Sequence, residues 1–470
     1  MVQGAVESFD VVVVGGGPGG TPGALLLAGH GQRVALVEAG EGLGGTCLFE
    51  GCIPSKIFLE SARRLADLSR LGEFALEGAA DARIDLPRLQ ARKRAILQVR
   101  VDGAQVHAVG AGLTLVRGRA QLLDPHTVGV QTADGVERRL QGRVLLLAPG
   151  SETARPAVPG ADDPELWTSA DALRAEQVPP SMVIVGGGYI GCELASFFAA
   201  AGTRVTLIEL LPHLLESEDP GAAAAVAQRL VQRGVTVDTD TRLQRIERAG
   251  SEWRVVLAPA RGPESTLTVS KVLLAAGRRA RTRELAWDKA GIILGSRGEV
   301  PVNRFYQTQV PHIYAPGDVN AQVMLAHAAT RQSEIAAWHI LGEAHPLVPL
   351  AIPHVIFTDP EVASVGEDRR ALARDPSLVA SRFPYAGDAR AHIMGDTTGF
   401  VQLIWRPVSH ELRGLQVVGL EAGELLAEAT GILRRGGRID ELVETIHAHP
   451  TLGEVVAEAA AAALAEKRPV

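Results

Sequence analysis

Phe9 to Gly20 reads FDVVVVGGGPGG, an apolar run that ends in glycines. A run of four valines suits a strand buried on both faces of a parallel sheet. Gly15, Gly17 and Gly20 fill a G-x-G-x-x-G pattern, a helical stretch follows from Thr21 to His30, and a second strand from Arg33 to Val37 ends at Glu38. In that context the glycines let the backbone approach a pyrophosphate at the helix N-terminus, and the carboxylate can accept from ribose hydroxyls. These residues predict a βαβ dinucleotide-binding unit.

The pattern then repeats. Met182 to Val185 runs into GGGYIG, with Gly186, Gly188 and Gly191 in register, and Val205 to Ile208 leads to Glu209. First glycine and acidic residue are 23 positions apart in both copies. Two dinucleotide sites imply electron transfer between two cofactors. At the second, Glu209 would repel a 2′-phosphate, which favours NAD over NADP.

GGTCLFEGCIPSK, Gly44 to Lys56, holds two of the three cysteines, Cys47 and Cys52. An undistorted helix would hold them about 8 Å apart, beyond the roughly 7 Å Cα reach of a disulfide. An irregular turn is therefore expected, with Gly51 supplying unusual dihedrals and Pro54 in the first turn of a following helix. Three cysteines in 470 residues make no disulfide framework. In a reducing compartment a close pair is more often catalytic or metal-binding, and no second ligand cluster favours a metal.

The 46% hydrophobic composition supports two to four domains with real cores. The net charge of −7 comes from interspersed signs, which argues against nucleic-acid and membrane partners. No 18-residue apolar run or secretory signal is seen, so a cytoplasmic location is expected. His449 precedes Pro450, and Glu454 lies five residues on. A carboxylate returned to the imidazole would make a base suited to thiols; the bland reading is a pair of surface histidines, His447 and His449, before a turn.

GGTCxxxGCIPSK shortly after one fingerprint and ahead of a second resembles the flavoprotein disulfide reductases, most closely their dihydrolipoamide dehydrogenase branch. The likeness extends over YAPGDV (314–319), MLAHAA (324–329), IPHVIFTDPEVASVG (352–366) and IHAHPTLGE (446–454). It implies an α/β fold of two Rossmann-like dinucleotide-binding domains, for FAD and NAD, plus a C-terminal α+β dimerisation domain. The implied boundaries are 1–152 and 285–347 for the two parts of the FAD domain, 153–284 for the NAD domain and 348–470 for the interface domain.

The resemblance further implies FAD contacts from Gly15, Gly17, Gly20, Glu38, Thr46, Lys56, Ala120, Asp318 and Ala326. For NAD it implies Gly186, Gly188, Tyr189, Gly191, Glu209 and Gly277. Tyr189 reads either as a gate over the nicotinamide pocket or as a core aromatic, and Cys192 as a small buried hydrophobe. Lys56 and Glu193 are implied to pair beside the flavin. Cys47 is implied to be the outer sulfur and Cys52 the inner one, with His449 and Glu454 supplied by the partner subunit of a homodimer.

The implied reaction is FAD-dependent oxidation of protein-bound dihydrolipoamide, on a lipoylated carrier or lipoyl domain, with reduction of NAD+. The alternatives are an NAD(P)H-dependent reductase of another disulfide on the same fold, or a docking flavoprotein subunit. Three departures stand out. Pro149 replaces the usual Thr, Phe49 and Glu50 replace Asn-Val between the cysteines, and Arg278, Arg279, Arg281 and Arg283 crowd an expected turn. That turn is either simply solvated or a docking point for an acidic partner.

Overall fold

The structure, a computed structural model, describes residues 6–78 and 81–466. The chain forms two compact units, each assembled from separate stretches. One gathers the chain up to Ser55 with Pro87–Ala154 and Gly277–Leu347, and the other holds Lys56–Leu86, Arg155–Ala276 and Val348 onward.

The first unit begins with β1 (Val6–Val14), α1 (Thr21–Gly29) and β2 (Val34–Glu38), then α2 (Gly45–Phe49) and the start of α3 (Cys52–Leu68). After α4 (Leu86–Gly110) come β3 (Thr114–Arg117), β4 (Arg119–Leu122), β5 (Thr127–Gln131), β6 (Glu137–Leu147) and β7 (Ser151–Thr153). Its main sheet runs β3-β2-β1-β6-β5-β4, with β1 parallel to both β2 and β6. Val12 and Val14 pack with Leu145 and Val319, whereas Val11 and Val13 pack with Leu27, Leu36 and Ile335. The valine run is continuous because each face of the strand enters a different core.

In the second unit α5 (Ser169–Arg174) starts from a capping box between Thr168 and Asp171. A smaller parallel sheet, ordered β10-β9-β8-β14, then contains β8 (Ser181–Val185), β9 (Arg204–Ile208), β10 (Thr236–Asp238) and β14 (Lys271–Leu274). Its helices are α6 (Tyr189–Ala200) and α7 (Pro220–Gln232), and an antiparallel meander of β11 (Thr241–Ala249), β12 (Glu252–Pro259) and β13 (Ser265–Val269) lies beside it.

The chain re-enters the first unit through β15 (Arg278–Ala280), which pairs antiparallel with β7. The expected arginine turn is therefore in part a strand. Arg279 pairs there with Glu152 at 2.7 Å and stays partly exposed. β16 (Ile313–Tyr314) joins the main sheet along β6, and α8 (Ala326–Ile340) packs on α1.

The C-terminal part of the second unit is an antiparallel sheet, β17-β18-β21-β20-β19. Its strands are β17 (His354–Ile356), β18 (Glu361–Gly366), β19 (Val379–Pro384), β20 (Phe400–Trp405) and β21 (Leu412–Gly419). The helices there are α9 (Ala389–Ile393), α10 (Leu426–Arg434), α11 (Asp440–Glu444) and α12 (Glu454–Glu466). Val455, Val456, Ala459, Ala460 and Ala463 of α12 bury against this core, as the alanine-rich composition favours, while Lys467 lies outside the described residues. No helix among the described residues is long and apolar enough to cross a membrane.

Candidate active site

The two fingerprints fold alike. A Cβ on Gly15 would meet Ala148 O at 2.1 Å, and one on Gly186 would meet Ala275 O at 2.5 Å. A Cβ on Gly20 or on Gly191 would lie 1.9 Å from the carbonyl oxygen of the first glycine of its own motif. The outer glycines thus permit close packing of turn and helix. The middle ones differ: a Cβ on Gly188 would meet nothing within 4 Å, which leaves a bare backbone face for a ligand. Both acidic residues also clamp their loops. Glu38 accepts from Gly16 N and Gly40 N, each at 2.6 Å, and Glu209 accepts from Gly187 N at 2.6 Å and Leu211 N at 2.9 Å. A carboxylate fixed in this way keeps lone pairs for ribose hydroxyls. The residues present fit a dinucleotide at each place.

The cysteine stretch packs on the first fingerprint. Gly44 N donates to Gly16 O at 2.7 Å, and the Cα of Gly45 lies 3.5 Å from a Cβ placed on Gly17. Gly44 and Gly45 take φ of 129° and 55°, so these two, rather than Gly51, carry the left-handed backbone. Gly51 is small for another reason: its Cβ would come 3.1 Å from Thr46 O. α2 ends at Phe49, and α3 starts at Cys52, with Pro54 in its first turn. Cys47 and Cys52 lie close together across this break, both half-buried.

The remaining residues expected near a flavin lie as follows. Gly118 N donates to Glu38 O at 3.0 Å, which puts the segment leading to Ala120 at the end of β2. A Cβ placed on Gly317 would lie 3.4 Å from the Cα of Gly19, so the neighbouring Asp318 stands by the first fingerprint. Asp318 accepts from Ser151 Oγ at 2.5 Å, and Arg278 donates to Ser151 Oγ at 2.8 Å and to Ser151 O at 3.0 Å. Ser151 was not singled out in the sequence, and Arg278 only as part of the arginine stretch, because no local pattern joins positions so far apart. Ala326 is the first residue of α8. Gly277 is exposed at φ 111°.

In the second unit Lys56 Nζ donates to both oxygens of Glu193, at 3.0 and 2.9 Å. Glu193 is 4% exposed and also accepts from Phe357 N at 3.0 Å, and the Phe357 ring lies 4.5 Å from Lys56 Nζ. One buried carboxylate thus ties α3, α6 and the 352–366 segment together. Tyr189 opens α6 half-buried, so it is not a core aromatic. Cys192 is fully buried, and burial pushes its thiol far above the usual range, which makes it inert.

His449 Nδ1 lies 3.0 and 3.2 Å from the oxygens of Glu454. Thr451 N donates to the same carboxylate at 2.8 Å, and that bond, followed by His449, holds the Glu454 carboxyl below its ordinary range. An ionised Glu454 accepts a hydrogen bond from Nδ1–H and leaves Nε2 as the nitrogen free to receive a proton, on a side chain that is 73% exposed. His447 instead pairs with Glu428 at 3.0 Å and is 15% exposed.

The description "pyridine nucleotide-disulphide oxidoreductase" matches residues 9–333, and its dimerisation domain matches residues 352–460. The chain is 34% identical to a dihydrolipoyl dehydrogenase of Geobacillus stearothermophilus, over 98% of this chain and 97% of that one. It is 35% identical to a dihydrolipoyl dehydrogenase of Thermus scotoductus, over 97% and 98% respectively. Among solved structures, LpdA from Mycobacterium tuberculosis superposes with a TM-score of 0.89 at 26% identity, covering 97% of this chain and 99% of the other. The HOCl-induced flavoprotein disulfide reductase RclA from Escherichia coli, as its Cu(II) complex, does so at 0.87 and 25%, with the same coverage.

Proposed function

We propose that this chain, which belongs to the pyridine nucleotide-disulphide oxidoreductase family, oxidises a dihydrolipoyl dithiol and reduces NAD+. The observation that carries the reading is the cysteine pair packed on the first of two dinucleotide loops, together with full-length similarity to dihydrolipoyl dehydrogenases. Gly15, Gly17, Gly20, Glu38, Thr46, Lys56, Ala120, Asp318 and Ala326 would hold FAD. Gly186, Gly188, Tyr189, Gly191, Glu209 and Gly277 would hold NAD. Residues 1–152 and 285–347 form the FAD domain in this reading, 153–284 the NAD domain and 348–470 the interface domain.

His449 Nε2 takes the proton of a substrate thiol, and Glu454 stabilises the resulting imidazolium. The substrate thiolate attacks Cys47 Sγ; a substrate–Cys47 disulfide forms as the Cys47–Cys52 bond breaks, and Cys52 leaves as a thiolate. The second substrate thiol then attacks its own partner sulfur, releasing Cys47 and an oxidised substrate. Bound FAD supplies the two-electron chemistry that connects the reduced cysteine pair to NAD+. The Lys56 ammonium, held in place by Glu193, favours negative charge nearby.

The match to the family's dimerisation domain supports a homodimer, and in this reading each active site takes His449 and Glu454 from the partner. The substrate is a lipoylated carrier, and the location is cytoplasmic. The likeness to a flavoprotein disulfide reductase supports a second reading, in which the same groups run from NAD(P)H toward another disulfide. Steady-state NAD+ reduction with free dihydrolipoamide separates the two. Fast turnover supports the first, whereas negligible turnover with rapid NAD(P)H-dependent reduction of another disulfide would overturn it.

A further inference from the structure

Tyr189 follows the bare middle glycine of the second fingerprint. Its ring meets His354 edge-on, with centroids 6.2 Å apart and planes at 88°, within the range of a favourable aromatic contact. His354 is itself anchored, with Nδ1 2.8 Å from Glu218 Oε1. Glu218 is 4% exposed, and its other oxygen accepts from Ser364 Oγ at 3.2 Å and Gln416 Nε2 at 3.3 Å. A buried carboxylate with this many donors is a rigid post.

The same residue grips the fingerprint loop a second time. Glu218 N donates to Leu215 O at 2.8 Å, and Leu215 N donates to Gly187 O at 2.9 Å. The loop is therefore held by backbone at Gly187 and by a side chain at Tyr189, and both paths end on Glu218.

We propose that His354 is a positioning residue for the second dinucleotide site: anchored on Glu218, it fixes the Tyr189 ring beside Gly188 and so raises affinity for the nicotinamide dinucleotide. A ring already held there need not be ordered at each binding event. The inference rests on the second fingerprint being the NAD site. It assigns His354 no part in the dithiol chemistry.

The test is isothermal titration of the oxidised FAD-loaded dimer with NAD+. His354→Ala should weaken binding by about three- to tenfold and raise KM for NAD+ in proportion. Values of kcat and of KM for dihydrolipoamide should stay within about twofold. In a Tyr189→Ala background the His354 change should add nothing, since its effect runs through that ring. His354→Asn, which keeps a donor toward Glu218 but lacks the ring, provides the same test if the alanine variant fails to fold. Unchanged NAD+ affinity in the folded variant, or a full additional loss in the Tyr189→Ala background, would overturn the proposal. A wild-type dimer that binds no NAD+ would instead overturn the reading of the second site.

Discussion

Gly188 and Gly191 stand three residues apart in one motif, yet the structure assigns them opposite sensitivities. At Gly188 a Cβ meets nothing within 4 Å, and the backbone, at φ −72° and ψ −178°, is open to any L residue. Gly188→Ala gives up a favourable helix cap, which costs a few tenths of a kcal/mol to about 1 kcal/mol. It also reduces unfolded-state entropy, which returns about 0.4–1 kcal/mol. The two nearly cancel, so the apo protein should melt within about 2 °C of wild type. The new methyl fills the face that a pyrophosphate would approach, and NAD+ affinity should fall at least about tenfold, roughly 1.4 kcal/mol.

Gly191→Ala behaves differently, because its Cβ would sit 1.9 Å from Gly186 O and 3.4 Å from Leu207 Cδ1. The turn must open by more than roughly 1 Å, an overpacking cost of about 1–3 kcal/mol. That variant should melt several degrees lower without any ligand. Differential scanning fluorimetry with and without NAD+, paired with calorimetric titration, reads both quantities. A Gly188→Ala protein that binds NAD+ as wild type does, or that is less stable than Gly191→Ala, would refute the reasoning.

Ser151→Ala or Arg278→Ala should leave Asp318 less firmly placed and reduce FAD retention, measured as the flavin-to-protein absorbance ratio after gel filtration; full retention in both would exclude a role for the network. Glu193→Ala removes three hydrogen bonds from a buried site and should destabilise by about 2–4 kcal/mol, less than a fully buried pair because Lys56 is 32% exposed. Glu193→Gln, which still offers an acceptor to Phe357 N, should cost about half as much in urea unfolding. Burial raises the Glu361 carboxyl to about 7 from 4.5, with Glu421 adding to the shift and Gly423 N and Arg63 opposing it. Its contribution to stability is thus fully present below about pH 4.5 and lost as pH rises through 7. Glu361→Gln should accordingly be more stable than wild type at pH 8.5, by up to about 3 kcal/mol, with the gain gone near pH 4.5; a pH-independent difference would refute this. Mixing Cys47→Ser with His449→Gln subunits should restore one working site per mixed dimer, and no recovered activity would remove the shared-site reading.

What the sequence made legible is what short-range chemistry determines. The valine run of β1 announced a doubly covered strand because its alternate side chains enter two cores. His449 and Glu454 were legible because five residues and a helix start bring them together. Gly51 drew attention between the cysteines, but the left-handed positions are Gly44 and Gly45, and their geometry depends on contact with a fingerprint about thirty residues earlier. The arginine stretch read as a turn because its charges mask a strand whose partner is β7, 127 positions away. No periodicity encodes that pairing. The same limit hid Glu218: as one acidic residue before Asp219 and Pro220 it looks like part of a helix start, and Asp219 does serve as that cap. Only the folded sheet delivers His354, Ser364 and Gln416 to its carboxylate. A carboxylate buried this deeply would be costly to fold around without those donors, so the C-terminal sheet and the loop after β9 depend on each other for stability. That dependence is the physical reason to expect a substitution in the C-terminal sheet to be felt at the nucleotide loop.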